Sequence, residues 1–297
     1  MPHMRPLGPA ALAAALLVPI AGCTSAADGA EPHPQAGVRP GASEEDGSGA
    51  GTPDAQDGRA DGDDGAEDGD GGPLSGFTVV IDPGHNGGNA GASEEIGASV
   101  PAGPGEKECD TVGAESADGY PEHAFNLDFS LHMREELEER GAEVVLTRED
   151  DEGVGPCIDE RAAIGNEAGA DAAVSVHADG GSESGRGFHV IAPGEVEGFT
   201  EGIVAPSRRL AEELRDAFAE DAGLPASDYL GEDGLDERTD LGGLNLSTVP
   251  KVFLEAGNMR NAEDAELLED PQWREEAAVV AAGAVAAFLT SGDAGRG

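Results

Sequence analysis

Val79-Val80-Ile81-Asp82-Pro83-Gly84-His85-Asn86-Gly87-Gly88 is the stretch whose reading decides the fold. Two β-branched valines and an isoleucine make an apolar run that reads as a buried strand, and Pro-Gly stops it. The glycine-rich turn that follows carries an imidazole. His85 therefore lies at the carboxyl end of a strand, where open α/β sheets bind their ligands. A lone histidine in a turn is ordinarily a solvated residue, and only its company further along the chain changes that reading.

Working outward, the chain alternates. A long Gly-rich connection (86–119) leads to a helix that opens at Pro121-Glu122 and ends near Gly141, with Phe125, Leu127, Phe129, Leu131, Met133 and Leu137 on one broad side. Strands are expected at 143–147, 171–176, 187–191 and 251–254, and helices at 158–168, 207–222 and 273–289. Strands alternating with helices predict the α/β class: a single domain, 76–291, with a mostly parallel twisted sheet covered by helices on both faces. Residues 292–297 read as a flexible tail.

The amino-terminal part is of another kind. Arg5 precedes the apolar run Ala10 to Ile20, which meets small residues, so 1–23 reads as an export signal. The run is short for a membrane span. Its end, Ile20-Ala21-Gly22-Cys23, resembles a bacterial lipobox, which implies lipidation of Cys23; the alternative is an ordinary signal peptide cut near Ala21 or Ala27. Residues 24–75 are rich in Gly, Asp, Glu, Pro and Ser without apolar period, and read as a disordered acidic tether. Its reach is about 40 Å, more if like charges stretch it. Both readings of Cys23 put the domain outside the cytoplasm, as a lipoprotein facing the cell wall or as a secreted protein. The formal net charge of −44 excludes a nucleic-acid footprint and leaves membrane attachment only to an N-terminal lipid anchor. Aromatics are 4%, so the core must rest on Val, Leu, Ile and Ala.

Three polar residues hold equivalent places. His85, His177 and Glu255 each end an apolar strand, and parallel strands bring such ends to one rim. Glu122 starts a helix, where a carboxylate is favoured anyway. Two histidines and a carboxylate suit a catalytic zinc with a fourth position left for water, whose pKa the metal lowers to near 7. A second carboxylate outside that set can take a proton and deliver it to a leaving amine. Ligand types do not separate zinc from a neighbouring divalent metal. Of the other histidines, His3 and His33 lie in the leader and tether. His123 is either a substrate contact or exposed, and His132 and His189 fall inside secondary structure as packing or surface residues.

Asp82-Pro83-Gly84-His85, Glu122-x-x-x-Asn126-Leu127, Ser175-Val176-His177-Ala178-Asp179 and Val252-Phe253-Leu254-Glu255 together resemble the zinc-dependent N-acetylmuramoyl-L-alanine amidases of the amidase-3 family. Leu146-Thr147-Arg148 and Leu244-Asn245-Leu246 match further landmarks, and the resemblance covers 77–289. Lys107-x-Cys109, Asp118-Gly119-Tyr120-Pro121-Glu122-His123 and Gly257-Asn258-Met259-Arg260-Asn261 are similar to actinobacterial members. The resemblance implies one Zn2+ held by His85, Glu122 and His177, with Glu255 as catalytic acid/base. The implied substrate is peptidoglycan or muropeptides, cut between the lactyl group of N-acetylmuramic acid and L-alanine. No wall-binding repeat is read in these residues, so recognition is expected from the cleft, with a preference for small muropeptides, by a monomer.

In an oxidising compartment Cys109 and Cys157 form the natural disulfide pair, worth about 2–4 kcal/mol; two free thiols or extra metal ligands are the alternatives. Two other functions use the same residues: a zinc peptidase acting on another amide, and a non-catalytic, zinc-stabilised wall-binding lipoprotein. A purely structural metal site has no need of Glu255, which speaks against the second.

Overall fold

A computed structural model describes residues 71–292. The leader 1–23 with Cys23, the tether as far as residue 70, and 293–297 lie outside the described residues.

In chain order the elements are β1 (Thr78–Pro83), α1 (Ser93–Ile96), β2 (Ser99–Pro101), β3 (Glu106–Glu108), α2 (Glu122–Glu139), β4 (Glu143–Leu146), α3 (Ile158–Ala168), β5 (Ala172–Asp179), β6 (His189–Pro193), α4 (Val204–Asp221), β7 (Leu235–Arg238), α5 (Gly242–Asn245), β8 (Lys251–Asn258), α6 (Ala262–Glu269) and α7 (Pro271–Thr290). Six strands form one sheet in the order β4-β1-β5-β8-β6-β7. β4, β1, β5 and β8 are parallel, as expected for an α/β chain. β6 runs antiparallel to β8 and carries β7 parallel to itself, so the sheet is mixed at that edge. The apolar composition of a short buried strand does not encode its direction, and the reversal was not legible.

Helix ends follow local chemistry. The Glu160 carboxylate accepts from Cys157 N at 2.9 Å at the start of α3, and Gly169 at φ 59 ends it in the left-handed conformation that glycine adopts without penalty. Asp270 accepts from Gln272 N and Pro271 occupies the first turn of α7.

Helices cover both faces. α2, α4 and α7 pack on one another and against one side, while α3 and α5 lie on the other. Because side chains alternate along strands, Val79, Ile81, Val176, Val190 and Leu254 enter the larger core, with Phe125, Phe129, Phe188 and Phe218 among its fully buried rings. Val80 and Ala173 face the smaller cluster under α3. On α2 the buried stripe is Phe125, Phe129, Met133 and Leu137; Leu127 and Leu131 are only half-buried, so the apolar side is narrower than the sequence suggests.

The packed chain begins before residue 76. Leu74 is fully buried in the larger core and its N–H donates to Arg140 O at 2.9 Å. The Gly-rich connection also holds more structure than expected, because β2 and β3 pair as a small hairpin within it.

Candidate metal centre

Two registers across the sheet build the site. Asp82, Ser175, Phe253 and Ile191 stand side by side on β1, β5, β8 and β6; one step further, His177, Glu255 and His189 do the same. Both rows project to the face carrying α3 and α5. The first floors a cleft of about 630 Å³, which His177 and Glu255 of the second row also line, together with His85. Ile158, Leu241 and Gly242 line its walls, and Lys107 and Arg238 stand among its lining residues. A second, more open groove with Val112, Gly180 and Arg260 shares His85, His177 and Glu255 with the cleft and adds Glu122.

His85, Glu122 and His177 offer one ligating atom each, all within 4.8 Å of one another. Glu122 Oε1 lies 3.4 Å from His85 Nε2 and 2.9 Å from His177 Nδ1. The Glu122 carboxylate does not cap its own helix. Its other oxygen accepts from Ala114 N at 2.7 Å, and Oε1 also takes Ala178 N–H at 3.3 Å. The His177 ring stacks on Phe253, with centroids 5.1 Å apart and planes inclined by 13°. Gly84 lies beneath it: a Cβ there would come within 2.1 Å of the imidazole, so only glycine fits.

His85 has φ 59, a left-handed backbone conformation that a residue with a side chain adopts only where its surroundings hold it. The surroundings do so. Arg148 donates to the carbonyls of Pro83 (2.8 Å) and Gly84 (3.2 Å), and Arg161 to those of Pro83 (2.8 Å) and His85 (3.1 Å). Asn126 Nδ2 adds a bond to Gly84 O at 3.0 Å. These contacts explain why Arg148 and Asn126 belong to the recognisable motifs.

Electrostatics favour a cation. Burial works against a charged His85, but the Glu122 and Asp110 carboxylates outweigh it and hold the imidazole up at about 10. Burial likewise opposes ionised Glu122, and the two imidazoles overcome it, keeping its carboxyl well below the ordinary range. Glu255 behaves oppositely: burial first, then the neighbouring Glu122 and Asp179 charges, push it well above the usual carboxylate value. A buried carboxylate set with two imidazoles, and a second carboxyl of raised proton affinity, fits a divalent cation with an acid/base beside it.

Beneath the cleft lies a buried polar network. Asp82 accepts from Thr147 Oγ1 (2.6 Å), Ser175 Oγ (2.8 Å) and Arg161 Nη1 (2.8 Å), and Lys251 Nζ stands 3.4 Å away. Burial disfavours both charges; Lys251 and Arg161 nevertheless hold Asp82 far below its ordinary value, while burial dominates for Lys251 and lowers it. Sequence reading missed Arg161, Lys251 and Asp110. The only signal was a charged residue next to an apolar run, which is usually a solvated one.

The structure thus brings His85, Glu122, His177 and Glu255 together, and joins Cys109 to Cys157 by a disulfide. His123 is neither exposed nor in the cleft: it is half-buried, with Nδ1 2.6 Å from Asp151. His132 sits on α2 near Asp128, and His189 is 2% exposed.

A mostly parallel sheet with a His–Glu–His donor set and an adjacent protonatable carboxyl near the carboxyl ends of its strands is the arrangement of a hydrolytic enzyme of the α/β class. The chain belongs to the Amidase_3 family, N-acetylmuramoyl-L-alanine amidase, which residues 79–287 match. It is 42% identical over 221 residues to the N-acetylmuramoyl-L-alanine amidase Rv3717 of Mycobacterium tuberculosis, covering 73% of this chain and 88% of that protein. The crystal structure of the amidase Ami1 from Mycobacterium smegmatis superposes with a TM-score of 0.69 at 41% identity, over 73% of this chain and 99% of that one. The apo form of Ami1 from Mycobacterium abscessus gives 0.68 at 41% identity, over 73% and 100%. These mycobacterial relatives bear out the resemblance to actinobacterial members.

Proposed function

We propose that this chain hydrolyses the amide between the lactyl group of N-acetylmuramic acid and L-alanine in peptidoglycan or its fragments, outside the cytoplasm, with one zinc ion held by His85, Glu122 and His177. The observation that carries this reading is the convergence of those three ligating atoms within 4.8 Å beside the half-buried Glu255, in a chain of this family. A bound zinc ion supplies Lewis acidity toward a carbonyl and acidifies a water molecule. The remaining work belongs to the side chains. Asp110 orients the His85 imidazole, and the cleft over Phe253 and Ile191 excludes water from one half of the substrate. Glu255, with its raised proton affinity, accepts a proton and returns it to the departing L-alanine amine. We assign substrate recognition to the cleft and read the protein as acting as a monomer.

We also read residues 1–23 as a lipoprotein signal with acylation at Cys23, and the acidic stretch from residue 24 to the packed chain near Leu74 as a spacer that lets an anchored domain reach the wall. Intact-mass analysis of the membrane fraction tests the anchor: a Cys23→Ala chain is expected to move to the soluble fraction.

The test of the activity is cleavage of a muramoyl pentapeptide fragment followed by mass. Release of the intact peptide with a free L-alanine amine, abolished by a chelator and restored by zinc, is the expected result. Cleavage at another bond would favour a peptidase, and zinc binding without turnover a wall-binding protein. Gly84→Ala is expected to displace the His177 ring and weaken zinc binding by about tenfold or more, read by competition with a chromophoric chelator.

A further inference from the structure

We propose that the Cys109–Cys157 disulfide is a splint for the metal centre, acting through Asp110 as the residue that positions His85. This rests on the metal reading above.

The geometry runs in a closed circuit. His85 Nδ1 donates to Asp110 Oδ1 at 2.9 Å and lies 3.1 Å from Thr111 O, which turns Nε2 toward Glu122. Asp110 is itself held: Oδ1 accepts from Thr111 N at 2.7 Å and Oδ2 from Arg161 Nη2 at 3.3 Å. Arg161 also grips the carbonyl of His85, so one guanidinium restrains both the left-handed backbone of the ligand and the carboxylate that aims its ring. Asp110 directly follows Cys109, and Arg161 lies one turn into the helix that Cys157 opens. The bridge therefore joins the two arms of the clamp, 48 residues apart in sequence, at their roots, and Ile158 N–H donating to Cys109 O at 2.9 Å reinforces the joint. On its own side, Asp110 is tied by its N–H to Ile96 O (3.1 Å) and by Cys109 N–H to Ala98 O (2.8 Å), within the same Gly-rich connection, so the bridge is what joins that connection covalently to α3.

A carboxylate that orients a ligating imidazole typically changes metal affinity by about 10–100-fold when removed. The test compares the full wild-type chain with Asp110→Ala, Asp110→Asn, the double variant Cys109→Ala/Cys157→Ala, and the triple combination with Asp110→Ala. Zinc dissociation constants come from chelator competition, the d–d absorption of bound Co2+ reports ligand geometry, and urea unfolding of chelator-treated protein confirms that each variant is folded. The expected result is zinc binding about 10–100-fold weaker for Asp110→Ala and for the double variant, with a changed cobalt spectrum. Asp110→Asn, which keeps an acceptor for Nδ1–H, should fall between. Removing the disulfide from Asp110→Ala should cost no further affinity, because both changes cut the same circuit.

Wild-type affinity in Asp110→Ala or in the double variant would overturn the inference, as would full multiplication of the two losses in the triple variant. If the double variant fails to fold, Asp110→Ala together with wild type reduced in mild urea decides the matter by the same criteria. A wild-type chain that takes up no zinc at all would overturn the metal reading itself, and this inference with it.

Discussion

Replacing Glu255 with glutamine is expected to slow amide hydrolysis by about 10²–10⁴-fold while leaving zinc binding intact, since the change removes proton transfer but not a ligating atom. It is also expected to stabilise the chelator-treated protein at neutral pH, and the sign follows from burial. The Glu255 carboxyl is pushed well above its ordinary value by burial and by the Glu122 and Asp179 charges. Between the unfolded value, about 4.3, and the raised folded one, the unfolded chain binds fewer protons than the folded chain, so folding stability declines as pH rises through that window. Glutamine carries no such penalty. The stability advantage of Glu255→Gln should be near zero at pH 4 and grow toward neutrality, reaching on the order of 1 kcal/mol, or about 2–4 °C in Tm. Urea unfolding of both proteins across pH 4–8 reads it. A variant less stable than wild type at pH 7 would contradict the assigned burial of the charge.

Arg161→Met is expected to have the largest effect on stability, about 3–5 kcal/mol, because it removes one of the two cations that hold the buried Asp82 and one of Asp110's partners. The loss should be complete at neutral pH. Asp82 is held below its ordinary value by Lys251 and Arg161 against the pull of burial, so the stability it contributes is present above the unfolded value, about 3.9, and fades as acid protonates it. The gap between variant and wild type should therefore narrow below pH 4. Denaturant midpoints at pH 7 and pH 3 measure both ends, and an equal gap at the two would place the damage in lost packing alone. Zinc affinity should fall with stability, since the same guanidinium holds the carbonyl of His85.

What could be read from the sequence was whatever a short window encodes. His85, His177 and Glu255 were visible because an apolar run meets a polar residue, but the strands themselves do not end there: β5 runs on past His177 to Asp179 and β8 past Glu255 to Asn258, held by their pairing with each other. α3 was placed to the residue because Gly169 punctuates it. Glu122 was legible only in company, since a carboxylate at a helix start has a sufficient local explanation. The hairpin of β2 and β3 and the strand β7 escaped because they are short and polar, reading EKE and LDER, and owe their existence to what lies beside them. Asp110, Arg161 and Lys251 escaped for a different reason. Their roles arise between segments 51 and 169 residues apart, and no window shows which buried charge will meet which.

The sheet separates two kinds of demand. Every group assigned to the chemistry projects toward α3 and α5 or the rim, while the phenylalanine-rich packing with α2, α4 and α7 lies behind it. Most substitutions cost stability, and a chain that improves its site by burying awkward charges, as at Glu255 and Lys251, must be compensated elsewhere. Here the compensation has somewhere to accumulate. Apart from the start of α2, where Glu122 and Asn126 serve the site, the helical layer can be repacked through generations of small apolar exchanges without a cleft residue moving, and the cleft can explore new wall fragments while that layer stays as it is. Such a division of labour lets descendants of this fold vary in what they cut and in how robust they are as nearly independent traits.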